Sequence, residues 1–116
     1  MLDVKDEGRL RQITKHCTKI INKINSISQK QFNKDEDLRE IICFNIFQIG
    51  ELAKGLSTDF TQKYNEIPWK QIKGMRDIIG HGYGTIDNEI VYNTAKESIP
   101  ELNDYCSKLL DTNIHD

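Results

Sequence analysis

Leu10, Ile13, Cys17, Ile20, Ile24 and Ile27 follow one another at steps of three and four residues. At about 3.6 residues per turn, such steps return to one narrow seam of a helix, whereas a half-buried strand would need alternation at every second position. The spacing predicts a helix over about residues 3–28 that packs along a single line, as helices in a bundle do. Its opposite side carries Arg11, Lys15, Lys19 and Lys23 as a basic ridge. Ser26, Ser28, Gln29 and Asn33 then read as a polar break.

A second helix is expected from the acids Asp35 and Asp37, which suit a helix N-terminus. One stripe on it runs Leu38, Ile42, Ile49, Leu52 and Leu56, with Asn45 on the same line. A second stripe, Ile41, Phe44 and Phe47, lies alongside and continues to Glu51. The segment IICFNIF is thus apolar around well over half its circumference, and such a helix must be covered on two sides, at a bundle centre or at a subunit interface. Gly50 and Gly55 permit a close neighbour, and Asn45 reads as a residue that fixes packing register across an interface.

After Leu56 the chain reads as a loop with at most one helical turn. Pro68 suits the first turn of a third helix over about 69–79, with Ile72, Met75 and Ile79 on its buried face. Gly80, Gly82 and Gly84 end it, and the residues to Asp87 can cap the next helix, whose seam is Val91, Ala95, Ile99, Leu102, Cys106 and Leu109. Pro100 within it predicts a kink. The fold class is therefore all-α: one domain over 1–116, an antiparallel bundle of four to five helices.

The chain has 116 residues, of which 37% are apolar, and a net charge of -2. So lean a chain with such concentrated stripes is expected to complete its core with a second copy. The charge excludes a globally basic protein without excluding a local basic patch. No apolar run approaches the ~20 residues of a membrane span, and the charged N-terminus has no signal-peptide pattern. Cys17, Cys43 and Cys106 lie apart inside apolar patterns and read as free buried thiols, so a cytoplasmic setting is expected. No Cys/His or carboxylate spacing suggests a metal or another cofactor.

Chemistry concentrates in MRDIIGHGYG, residues 75–84. Arg76 is always charged and can grip a phosphate by two nitrogens. His81 can take and return a proton near neutral pH. Together they suffice in principle for RNA cleavage without a metal: the histidine deprotonates a 2′-hydroxyl and the arginine stabilises the charge gathering on phosphorus. A five-residue step turns two side chains about 140° apart on a regular helix. The pair converges only if the helix unwinds near Gly80, or if two subunits share one cleft. A plainer reading fits the same residues: Arg76 on the surface, His81 favouring a helix C-terminus, and Tyr83 half-buried.

The stretch MRDIIGHGYGTIDNEIVYNTAKESIPEL strongly resembles the HepT-like toxins of the HEPN superfamily. The shared pattern comprises Arg76, Asp77, His81 and Tyr83, then Ile86–Asp87, Glu89–Val91 and Pro100–Leu102. FQIGELAKGL, residues 47–56, is similar to that family's second long helix. The chain departs from the pattern at Gly80 and Gly82, where bulkier residues commonly flank the histidine. The resemblance implies a homodimer in which the Arg76 and His81 motifs of two subunits face one RNA cleft, with Asp77 as the supporting polar residue. It implies a metal-independent endoribonuclease acting on tRNA or mRNA, the toxin of a type II toxin–antitoxin pair. The antitoxin would be a minimal nucleotidyltransferase that adds AMP to Tyr83, placing bulk and negative charge beside Arg76 and His81. The same superfamily also supplies an alternative: a non-catalytic helical module that binds substrate or nucleotide for such a transferase.

Lys70 and Lys73, the latter one turn from Arg76, are expected to steer phosphate, whereas the Arg11–Lys23 ridge reads more simply as a solvated face. Glu51 stands open between pairing a buried cation, helping at the site, and plain exposure. Trp69 and Tyr92 could stack on bases, though core or rim packing suits them better. His16 and His115 show no partner pattern.

Overall fold

The computed structural model describes residues 2–80 and 87–115, and every regular element among them is helical. Helix α1 runs Val4–Ile24, started by the Asp3 carboxylate, which accepts from the N–H groups of Lys5 and Asp6. It ends earlier than its apolar seam suggests, because Ser26 adopts the left-handed backbone conformation at φ 64°. The expected polar break instead holds a short helix α2, Gln29–Lys34. Ser28 and Gln31 form a reciprocal capping box there, and Phe32 buries its whole side chain against Tyr92. One cap and one buried ring suffice for a helix this short, and neither leaves a periodic signal.

Helix α3, Glu36–Lys54, is capped by Asp35, which accepts from Leu38 N–H at 3.0 Å. The stretch read as a loop contains α4, Thr58–Lys63, capped by Ser57. Helix α5, Trp69–Gly80, starts on the carbonyl of Pro68, which accepts from Gln71 and Ile72. The last helix proceeds as α6 (Asn88–Asn93), a π-helical stretch (Thr94–Ser98) and α7 (Ile99–His115). Pro100 lacks an N–H and its ring crowds the carbonyl of Lys96, so the helix widens across that point and carries on. The two short helices raise the count above the four or five expected.

The helices pack antiparallel. Asp6 meets Ser57 and His16 meets Asn45, which sets α1 against α3 in opposite senses. Tyr92 donates to the Ile27 carbonyl at 2.5 Å while Cys17 lies near Cys106, so the last helix also runs opposite to α1. Helix α5 packs chiefly on α3. Leu10, Ile13, Cys17 and Ile20 of α1, Ile42 and Ile49 of α3, and Ile99 and Cys106 of α7 are fully buried in one core. Each large aliphatic side chain there contributes about 1.5–3 kcal/mol of burial.

Two buried polar groups join elements. The Asp6 carboxylate accepts from the N–H of Ser57 at 2.9 Å and from its hydroxyl at 2.6 Å, tying the start of α1 to the start of α4, just past the end of α3. Asn45 accepts from His16 Nδ1 at 2.8 Å and donates to the Ile41 carbonyl, so it sets register between α1 and α3 of one chain. Trp69 is buried, donates to the Tyr64 carbonyl at 2.6 Å and packs on Phe60; Tyr92 packs on Phe32. Both are structural. The second stripe of α3 stays outside this core: Phe44 is 58% exposed and Ile41 40%, with Ile90 of α6 exposed as well. Among the described residues, no helix is long and apolar enough to cross a membrane.

Candidate active site on the motif helix

The site begins with a missing side chain. A Cβ on Gly50 would lie 3.0 Å from both Cβ and N of Arg76 and 3.3 Å from the Ile72 carbonyl oxygen. The backbones of α3 and α5 therefore all but touch at this level, a crossing that only glycine allows without displacing a neighbour. Gly50 thus does what its sequence position suggests, and the close neighbour is Arg76. Gly55 sits against the Arg9 side chain at the end of α3.

The residue after Gly50 completes the geometry. Glu51 Oε1 forms an ion pair with Arg76 Nε; both atoms are sealed from solvent, and the contact is one of charge, without the geometry of a hydrogen bond. Of the roles open to Glu51, pairing with a partly buried cation is the one found. Arg76 Nη1 lies 3.5 Å from the Asp77 carboxylate, which is largely exposed. The Arg76 side chain is 33% exposed, so its root is packed at the crossing while part of the cation reaches solvent. The plainer expectation of a simple surface arginine does not describe it.

Lys73, half-buried, precedes Arg76 by one turn of α5, and Lys70, exposed, lies one turn further back. Among the described residues neither is paired with a carboxylate, so α5 presents a short run of cations offset by Asp77. His81 and Tyr83 lie outside the described residues, as do Gly82 and Gly84. The structure thus brings Arg76, Asp77 and Glu51 together on the crossing and adds Lys73 and Lys70 along the same helix.

Other features point away from this chemistry. A cleft of about 630 Å³ lies at the opposite end of α3 from Gly50, lined by Gln31, Lys34, Asp35, Glu36 and Asp37. Three acids in a row repel a phosphate chain. The Arg11, Lys15, Lys19 and Lys23 side chains are all exposed, and Arg11 pairs with Glu7 at 3.0 Å. Among the described residues, no group of three or more His, Cys, Asp and Glu side chains is gathered as a metal site.

Residues 13–109 match the model of a protein family described as ribonuclease HepT-like. A relative from Caldanaerobacter subterraneus subsp. tengcongensis, named "Putative RNase TTE0752", is 34% identical over 101 residues, covering 87% of this chain and 90% of the relative. Another from Methanocaldococcus jannaschii, "Putative RNase MJ1216", is 31% identical over 101 residues, covering 87% and 84%. The "Probable ribonuclease HepT" of Thermococcus cleftensis is 39% identical over 61 residues, covering 53% and 56%. No solved structure shows a significant match. The matched span takes in most of α1, all of α3 and α5 with their crossing, and most of α7, and the chain belongs to the ribonuclease HepT-like family.

Proposed function

We propose that this chain is a toxin-type endoribonuclease that cleaves tRNA or mRNA without a metal ion. It acts in the cytoplasm as a homodimer. Arg76 and His81 of two copies face one cleft, and the Asp77 carboxylate supports the arginine. His81 of one copy takes the proton of a ribose 2′-hydroxyl, whose oxygen attacks the adjacent phosphorus. Arg76 stabilises the added negative charge as the phosphorane forms. The 5′-oxygen then leaves with a proton from the partner's His81, and a cyclic phosphate remains. Lys73 and Lys70 draw the RNA backbone toward this point.

The observation that carries this reading is the placement of Arg76. It stands at a tight helix crossing, paired by one nitrogen to Glu51, with part of its side chain open to solvent. A chain of this family with a loose surface arginine would support the reading far less. The exposed Ile41, Phe44 and Ile90 supply the apolar face that a second copy would cover.

The reading extends to regulation. The partner is a minimal nucleotidyltransferase, which silences the chain by adding AMP to Tyr83, two residues beyond His81. Co-expression with such a transferase and ATP is expected to raise the intact mass by whole AMP units, with peptide mapping placing them on Tyr83. An unmodified chain beside a transferase proven active on another protein would contradict this part of the account.

A further inference from the structure

We infer that Glu51 is a positioning residue for the arginine: it holds the guanidinium by one nitrogen and leaves the end edge, Nη1 and Nη2, to meet the scissile phosphate. This deepens the ribonuclease reading and rests on it. A guanidinium has five donors in a rigid planar fork, so fixing one of them fixes the direction of the others. Nε is the nitrogen nearest the backbone, and it is the one Glu51 takes. Asp77 lies 3.5 Å from Nη1, a weaker and more exposed contact that a phosphate can displace.

Three features make the arrangement more than a surface ion pair. The paired atoms, Glu51 Oε1 and Arg76 Nε, are shielded from water, which strengthens their attraction and limits screening. The two residues are anchored at the tight crossing of α3 and α5, with Gly50 directly before Glu51 in sequence. The rest of Glu51 reaches solvent at 39% exposure, so its remaining charge is hydrated, and the pair does not demand a dry pocket. An arginine without this hold would sample several rotamers, and catalysis that relies on charge placement falls steeply with misplacement.

The test measures RNA cleavage by Glu51→Ala, Glu51→Gln and Arg76→Lys, and by Glu51→Ala combined with Arg76→Lys. Glu51→Ala is expected to lower kcat by roughly 10–100-fold while KM moves much less. Glu51→Gln keeps the shape of the side chain without its charge and is expected to recover only part of that loss, since the contact is an ion pair. Lysine has no Nε–H fork, so in the Arg76→Lys background the Glu51→Ala change is expected to cost about twofold or less. A purely structural Glu51 would give the same factor in both backgrounds together with a matching fall in Tm, and that would overturn the inference. So would a rise in kcat on Glu51→Ala, which would mark the pair as a restraint on Arg76.

Arg76→Ala serves as the separating control. If it is inactive while Glu51→Ala retains full activity, the positioning role fails and the ribonuclease reading stands. If the wild-type chain cleaves no RNA, the ribonuclease reading fails. The hold is then judged by the Arg76 Nε–H signal in a 1H–15N spectrum, expected to exchange slowly with solvent in the wild type and to broaden away in Glu51→Ala. A signal equally fast in both would remove the hold itself.

Discussion

Burial changes what a single side chain can do, and the three thiols show it. Cys17, Cys43 and Cys106 are free and buried. Desolvation pushes Cys43 up to about 11, against a partial offset from the Arg39 charge, and pushes Cys106 up to about 12; Cys17 is raised further by burial and by Cys106. Thiol reagents near pH 8 are therefore expected to leave the folded chain untouched and to react with all three on denaturation. Because the folded values stand above the ordinary 9.0, the stability that goes with neutral thiols is complete below pH 9. It is lost as the pH rises through about 11 and then about 12. A denaturation midpoint flat to pH 9 and falling beyond it would agree; a thiol that labels rapidly in the native chain at pH 8 would not. These residues were legible in the sequence because each lies inside an apolar pattern. Glu51 was only half legible, since its partner is set by a helix crossing that no local pattern encodes. Asp6 and His16 were not legible at all, because their partners, Ser57 and Asn45, lie 51 and 29 residues away.

At the scale of elements, two glycines in helix interiors should respond in opposite directions. Nothing lies within 4 Å of a Cβ built on Gly8, which is exposed on α1. Gly8→Ala should stabilise by about 0.5–1 kcal/mol through the lower flexibility of the unfolded chain. Gly50→Leu has to push α5 away at Arg76 and should cost about 1–3 kcal/mol, or more if the crossing cannot widen. Urea denaturation of the two variants measures both signs, and similar small changes would contradict the tight crossing. The long helices were readable from their spacing to within a few residues. The misses have local causes: a left-handed Ser26 that stops α1, a capping box that starts α2, and a proline absorbed by a π-helical stretch.

At the scale of the whole molecule, large apolar side chains among the described residues remain uncovered. Ile41, Phe44 and Ile90 are exposed although their helices are otherwise packed, and doubled stripes on α3 call for cover on two sides. A second copy is the proposed cover, and it would also bring two Arg76–His81 motifs to one cleft. Phe44→Lys is expected to give a monomer with unchanged helical content, read by light scattering and circular dichroism. Half of the proposed catalytic motif falls on described structure: Arg76 and Asp77 occupy α5, while His81 and Tyr83 lie outside the described residues. The measurement that decides most is therefore RNA cleavage in EDTA by the wild type, Arg76→Ala, His81→Ala and Phe44→Lys. Cleavage by the wild type is expected, with a loss of roughly 100-fold or more in the Arg76 and His81 variants and a comparable loss in the monomer. Wild-type RNA binding without cleavage, or full activity in Arg76→Ala, would contradict it and leave the non-catalytic binding module as the better description.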